Sequence, residues 1–206
     1  MGLAAAASRT EIENEYVRVI RAEVAPHERG AVHRHEFNRV IVALDAGELT
    51  IRPENGAPQV QRYKAGQVRW EPAGGLHTSE NTGSSPFHLI EVEIRKPAPA
   101  HAAARNRALD PVAIDPAHNV LLFENTQVRV FRSWREAGGE EKMHEHPGPG
   151  RLAILLTPLD AQVKTADGAV SAQHAEAGDV MWSGPVTHAA KNTGSARLEM
   201  IVIEVL

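Results

Sequence analysis

Cysteine is absent from this sequence of 206 residues. Disulfide bonds and thiolate metal sites are therefore excluded, and any bound metal must use histidine, carboxylate or amide side chains. The absence of cysteine does not distinguish the cytoplasm from the periplasm.

Long apolar runs are also missing. No stretch of about 18 residues is apolar throughout, so the sequence predicts no membrane-spanning helix. The formal net charge is −4, whereas a nucleic-acid or acidic-membrane partner calls for a basic surface. Residues 1–10 lack the basic and apolar regions of a signal peptide. We therefore expect a cytoplasmic protein (periplasmic if a leader has been removed) that binds a small molecule, with no nucleic-acid or membrane partner.

The two halves of the chain resemble each other at a nearly constant offset. Residues 13–19 (ENEYVRV) match residues 124–130 (ENTQVRV), and 124 − 13 gives an offset of 111. The NTGS segments at 81–84 and 192–195 share that offset, which becomes 112 in the middle of the repeat. Agreement over nearly the whole of both halves predicts a duplicated domain.

The joint between the copies is rich in proline and alanine, which is typical of a linker. We therefore predict an N-terminal domain at 1–96, a linker at 97–111 and a C-terminal domain at 112–206.

Most periodic segments alternate between apolar and polar residues, which is the pattern of strands with one buried face. Such segments, or short apolar runs of strand length, occur at 16–21, 40–44, 48–52, 59–63, 88–94, 152–156 and 198–204. Turn residues separate them, and neither half contains a convincing amphipathic helix of three turns. The pattern predicts an all-β protein built as a sandwich or barrel.

Histidine is the most informative residue type, with 11 in the chain. An H-x-H pair on a strand presents two imidazoles to one face, and each copy has one such pair and a later third histidine. The predicted metal ligands are His33, His35 and His77 in the first copy and His144, His146 and His188 in the second. Three neutral imidazoles with open coordination positions are typical of a reactive metal site.

These motifs resemble those of the cupins, in the two-domain form called bicupins. The first cupin motif is represented by residues 30–39 (GAVHRHEFNR), with Gly47 beyond. The second motif, G-x5-P-x-G-x2-H-x3-N, is matched at each fixed position by Gly66, Pro72, Gly74, His77 and Asn81. The second copy is looser, because only Gly178, His188 and Asn192 fit and Pro185 is displaced.

The resemblance implies two tandem cupin jelly-roll β-barrels, each with a divalent metal inside the barrel mouth. It favours Fe²⁺, with Mn²⁺, Ni²⁺ and Zn²⁺ as alternatives, and it implies a homodimer. More narrowly, the sequence is similar to small cupins found with β-alanine degradation. Because the first copy keeps the complete second motif, we favour it as the active copy.

The metal-binding glutamate of the cupin motif is missing from both copies, and Arg39 and Arg151 stand at about its position. A guanidinium cannot ligate a cation. It either points into the pocket and holds a substrate carboxylate beside the metal, or it lies on the outer face. On the first alternative both arginines are candidate catalytic residues.

Two acids on the closing strand of the first copy, Glu91 and Glu93, share a face by period two. Glu91 matches Val202 in the second copy, so it is either a pocket acid peculiar to the first copy or part of an exposed strand face.

Three functions suit such a pocket. The resemblance favours a non-haem, dioxygenase-type enzyme acting on a small organic acid or diketone, because three histidines leave positions free for O₂ and substrate. The alternatives are a small-molecule sensor or carrier without turnover, and a metal-dependent isomerase or lyase.

Overall fold

The structure, a computed structural model, describes residues 7–96 and 106–206. The chain divides into two compact units after Lys96. Both units are built from β-strands, and the one helix among the described residues has four residues. No helix in the described ranges is long and apolar enough to span a membrane.

The first unit contains nine strands. In chain order they are β1 (Ala7–Glu13), β2 (Val17–Val24), β3 (His33–His35), β4 (Arg39–Ala43), β5 (Gly47–Pro53), β6 (Gln59–Tyr63), β7 (Val68–Glu71), β8 (Gly74–Asn81) and β9 (Phe87–Ile94).

The second unit begins with the short helix α1 (Pro111–Ile114) and continues with nine strands. These are β10 (Asn119–Glu124), β11 (Val128–Arg135), β12 (Glu140–His146), β13 (Arg151–Leu155), β14 (Leu159–Thr165), β15 (Val170–Ala175), β16 (Val180–Ser183), β17 (Val186–Asn192) and β18 (Leu198–Val205).

The same antiparallel topology occurs in both units. The first has a five-stranded sheet in the order β1-β2-β9-β4-β7 and a four-stranded sheet in the order β3-β8-β5-β6. The second unit has a five-stranded sheet in the order β10-β11-β18-β13-β16 and a four-stranded sheet in the order β12-β17-β14-β15. The all-β prediction is confirmed: each unit is a jelly-roll barrel, and we call them barrel one and barrel two.

Alternating burial explains why these sequences form half-buried strands. Along β2, Val17 and Val19 are fully buried while Arg18 between them is partly exposed. The sheets of barrel one meet at a core cluster that includes Ile41 and Leu89 from one sheet and Leu49 from the other. The remainder of the space between the sheets is the pocket described below.

The asparagine that ends each third-histidine strand is structural. Asn81 is fully buried, and its Nδ2 atom donates to the carbonyl oxygens of Val24 at 2.8 Å and Ser85 at 2.9 Å. Its Oδ1 atom accepts from the backbone amide of Gly83. Asn192 makes the equivalent set of bonds in barrel two. These bonds fix the turn after β8 or β17, and so help to fix the strand that carries the third histidine.

The strands expected from the sequence are confirmed to within about one residue at each end, except that β2 continues three residues beyond the expected 16–21. The predicted linker at 97–111 differs in its last part. Residues 97–105 lie outside the described residues, but Asp110 is buried and caps α1 by accepting from the amides of Val112 and Ala113. The carbonyl of Leu109 also accepts from the amide of Glu145 at 2.8 Å. The chain therefore joins the second unit several residues before 112.

Candidate metal centres

Barrel one gathers three imidazoles on the inner face of its four-stranded sheet. His33 lies directly opposite His77 in the β3–β8 ladder, and strand alternation puts His35 on the same face as His33. The ring centroid of His33 lies 4.5 Å from that of His77 and 4.9 Å from that of His35. All three rings line a pocket between the two sheets.

Barrel two repeats this arrangement. His144 lies opposite His188 in the β12–β17 ladder, with ring centroids 4.4 Å apart. The centroid of His146 lies 4.7 Å from that of His144. In each triad, one nitrogen per ring lies within 4.8 Å of the corresponding nitrogens of the other two rings. All three histidines of the triad in barrel two are buried, whereas those of barrel one are partly exposed.

Backbone hydrogen bonds fix which ring nitrogen faces the centre. In His33, His77 and His144, the Nδ1 atom lies 2.9–3.0 Å from the backbone carbonyl oxygen two residues earlier. A carbonyl oxygen can only accept, so Nδ1 carries the hydrogen and Nε2 keeps a free lone pair. A free Nε2 lone pair on a neutral imidazole is what a divalent ion requires of a histidine ligand.

The Nε2 atoms of His144 and His146 lie 2.9 Å apart. His146 also has an acceptor at Nδ1, because Glu204 Oε1 lies 2.7 Å from that atom. Both Nε2 atoms therefore carry lone pairs, and two lone pairs do not form a hydrogen bond. Ligands at right angles on one ion, each about 2.1 Å from it, are about 3.0 Å apart. The observed spacing fits two ligands of a shared ion.

Glu204 orients His146 from the far side of the ring. The glutamate is fully buried, and its other oxygen lies 3.6 Å from Arg129 Nη1. The Arg129 guanidinium in turn donates to Asp110 at 3.1 Å, the residue that caps α1. A carboxylate on the outer nitrogen of a ligating histidine fixes its tautomer and raises its basicity.

We expect Glu204→Gln to weaken metal binding by barrel two about 10- to 100-fold, because the amide keeps the shape of the carboxylate but loses its charge. The repeat offers a matched control. Glu93 stands at the equivalent position of barrel one, but it bonds Arg18 Nε at 2.7 Å instead of a histidine. Glu93→Gln should leave the metal affinity of barrel one unchanged in titrations against a chromogenic chelator. Equal losses in both variants would contradict this role for Glu204.

Burial keeps part of each triad uncharged. It lowers the pKa of His35 to about 3, with the positive charge of Arg39 acting in the same direction. It lowers the pKa of His188 to about 2, helped by His144 and Arg151. Burial also lowers the pKa of His77. These imidazoles are neutral at physiological pH, the state in which they bind a metal.

The side chain of Arg39 lies in the pocket of barrel one, next to a carboxylate. Its Nε atom lies 3.2 Å from Glu91 Oε2, and the same oxygen lies 3.9 Å from Nδ1 of His35. The two residues are diagonal neighbours across the β4–β9 ladder, since Arg39 is paired with Glu93 and Glu91 with Ile41. Burial raises the pKa of Glu91, and Arg39 opposes the rise. Glu91 is thus a pocket acid and not part of an exposed face.

Arg151 enters the pocket of barrel two without such an acid. Its Nη2 atom lies 3.3 Å from His188 Nε2, and its buried Nε atom has no hydrogen-bond partner. Val202 occupies the position that corresponds to Glu91 and lines the same pocket. Both arginines therefore point inward.

The two pockets differ in size and polarity. The cavity of barrel one has a volume of about 600 Å³, and polar residues such as Gln59, Gln61 and Asn55 contribute to its wall. The cavity of barrel two has a volume of about 190 Å³, and its wall is mainly apolar, including Leu155 and Met181.

Solved structures share this architecture. The cupin 2 conserved barrel domain protein from Leptotrichia buccalis is 14% identical, with a TM-score of 0.59 over 100% of this chain and 91% of that one. The fold is that of the cupins. A scan against protein-family models finds no match, and neither does a search of curated proteins.

Two cupin enzymes are similar in fold over most of both chains. Oxalate decarboxylase from Bacillus subtilis, described by its Mn(II) centres, is 14% identical with a TM-score of 0.62, covering 97% of this chain and 72% of that one. A variant of salicylate 1,2-dioxygenase from Pseudoaminobacter salicylatoxidans is 12% identical with a TM-score of 0.62, covering 92% and 71%. At these identities the comparison establishes the fold alone.

One pocket residue of the second cupin barrel was not anticipated. Glu141 lines the cavity, with Oε1 3.9 Å from His144 Nε2 and 2.9 Å from Arg135 Nη2. Residues three apart on a regular strand face opposite sides, but the β12–β17 register shifts between Glu141 and His144. Such a bulge turns a side chain toward the other face, and no sequence pattern announces it.

The Arg129–Glu204 pair was also missed, although the repeat carried a signal for it. Both residues have equivalents at an offset of 111, namely Arg18 and Glu93, and these also form an ion pair. An arginine and a glutamate retained together in both copies indicate an ion pair.

Proposed function

We propose that each barrel binds one divalent metal ion through its three histidines, with Fe²⁺ favoured and Mn²⁺, Ni²⁺ and Zn²⁺ as alternatives. The observation that carries the proposal is that one ring nitrogen of each histidine lies within 4.8 Å of the other two in both triads, while Nδ1 bonds hold the rings of His33, His77 and His144. Imidazole suits all of these metals, so the donor set fits the ion without selecting it.

The protein groups have distinct tasks in this proposal. Three histidines hold the ion and leave other positions open, and a bound ion would supply Lewis acidity or oxygen activation. Arg151 positions an anionic group beside the open positions, while the surrounding apolar wall limits access of water to the pocket. No serine or other nucleophile is required.

We further propose a dioxygenase-type reaction on a small organic acid or diketone. The names of two structural neighbours support a small organic acid as substrate, since one is an oxalate decarboxylase and the other a salicylate 1,2-dioxygenase, and only the second supports the dioxygenase type. The narrower likeness to cupins found with β-alanine degradation stays a prediction.

The test is oxygen uptake by metal-free protein reconstituted with Fe²⁺, screened against a panel of small carboxylic acids and diketones. We expect uptake with at least one compound, loss of uptake on chelation, and recovery when Fe²⁺ is returned. Activity that survives chelation would contradict the metal-dependent proposal. Product without oxygen consumption would instead favour an isomerase or lyase, and tight binding without product would favour a sensor or carrier.

A further inference from the structure

We infer that barrel two, and not barrel one, binds the carboxylate of a small apolar acid, and that Arg151 is the group that holds it. The inference rests on the proposed metal centres and adds a ligand class to one of them. It follows from one difference between the copies: a carboxylate lies beside Arg39, whereas a valine occupies the corresponding position near Arg151.

The difference is a carboxylate that lies beside the arginine in barrel one and has no counterpart at the same position in barrel two. In barrel one, Glu91 lies 3.2 Å from Arg39 and opposes its charge. In barrel two the corresponding residue is Val202, which cannot do so. Among residues 7–96 and 106–206, no carboxylate forms an ion pair with Arg151. A guanidinium in an apolar pocket without a counter-ion is strongly disfavoured unless an anion joins it.

The other acids near Arg151 already have closer partners. Glu141 is bonded to Arg135 at 2.9 Å, and Glu204 is bonded to Nδ1 of His146 at 2.7 Å. Both lie near enough to influence the pKa of Arg151, but neither contacts its guanidinium. The charge of Arg151 is therefore available to a ligand.

Metal binding would release the remaining contact of Arg151. Its Nη2 atom bonds the Nε2 lone pair of His188, and that lone pair is the one offered to a metal. Once an ion occupies it, the guanidinium loses its acceptor next to the open coordination positions. A carboxylate that contacts both the ion and the guanidinium would replace the lost bond with one between opposite charges, which can be bidentate.

The wall and the volume of the pocket determine the polarity and size of the ligand beyond its carboxylate. Most of the cavity wall is apolar and includes Phe131, Leu155, Met181, Trp182, Met200 and Val202, which favours a ligand that is apolar beyond its carboxylate. The volume of about 190 Å³ is below the range of about 300–1,000 Å³ that is usual for drug-sized ligands. The ligand class is thus a compact monocarboxylic acid with a single ring or a short branched chain.

Benzoate is a suitable probe. The 206-residue chain loaded with Zn²⁺ is a suitable form of the protein, because Zn²⁺ does not support a redox reaction. Isothermal titration calorimetry gives the affinity and the number of benzoates per chain, and plasma mass spectrometry of the same samples gives the metal content. Benzamide, which keeps the ring but lacks the charge, is the ligand control.

Wild-type protein should bind one benzoate per chain and bind benzamide at least tenfold more weakly. Arg151→Gln should lower benzoate affinity about 10- to 100-fold, the loss expected for a hydrogen bond to a charged group. Val202→Glu, which installs the acid of barrel one, should cause a similar loss. Arg39→Gln should leave benzoate affinity unchanged.

The outcomes distinguish failure of the carboxylate site from failure of the proposed metal sites. Benzoate binding that survives Arg151→Gln or is lost in Arg39→Gln, with two metal ions retained, would overturn the inference alone. Absence of benzoate binding by metal-loaded wild type would do the same. If no metal binds, the proposed function fails, and benzoate binding by the metal-free chain with loss in Arg151→Gln would still support the carboxylate site.

Discussion

His144→Ala is expected to remove one of two metal ions from each chain and to leave the other in place. His144 is 2% exposed, and its Nε2 atom lies 2.9 Å from that of His146. Loss of a direct ligand should exceed the roughly 10- to 100-fold effect of a residue that supports a ligand. Plasma mass spectrometry of purified protein after reconstitution and desalting measures the change.

Two variants complete this test. His33→Ala should remove the other ion, so the double variant should contain none. His174 lies on the surface of barrel two and bonds Asp160 at 2.7 Å, and His174→Ala should leave both ions bound. A single ion lost in His33→Ala and none lost in His144→Ala would restrict metal binding to barrel one.

Arg129→Met is expected to destabilise barrel two by about 3–5 kcal/mol, the usual cost of removing one partner from a buried charge network. The side chain of Arg129 is 6% exposed and lies within 3.1–3.6 Å of Asp110, Glu124 and Glu204. Its removal takes the cation from two buried carboxylates, of which one caps α1 and the other orients His146. Urea denaturation followed by circular dichroism measures the loss as a shift of the midpoint.

An exposed ion pair on the same barrel is the control for this variant. Lys191 Nζ lies 3.0 Å from Glu140, and the two side chains are 47% and 71% exposed. Lys191→Met should change the free energy of unfolding by less than about 1 kcal/mol. Comparable losses for Arg129→Met and Lys191→Met would show that the buried network does not stabilise barrel two in the way its geometry indicates.

Sequence periodicity predicted the fold well where a strand has one buried and one exposed face. β5 and β6 show clear alternation and were located to within a residue or two. Period two is much less informative for β12, because the bulge between Glu141 and His144 interrupts it. The segment before residue 112 was assigned to a linker because its composition is typical of one, and composition does not reveal that Asp110 caps a helix.

The positions of the triads could be derived from the sequence, because H-x-H on a strand fixes two rings and the repeat identifies a third. Whether each arginine has a carboxylate partner could not be derived from the sequence. Whether Arg39 meets Glu91 depends on a diagonal contact between β4 and β9, and sequence spacing does not give the pairing register of distant strands. The significance of Val202 becomes visible only once that register is known.

Crystals of the 206-residue protein grown with Co²⁺ test most directly whether both triads are metal sites. Anomalous scattering at the cobalt edge should show two peaks per chain, each about 2.1 Å from the Nε2 atoms of three histidines. Peaks absent from both triads, or found only at surface sites such as His174, would contradict the claim.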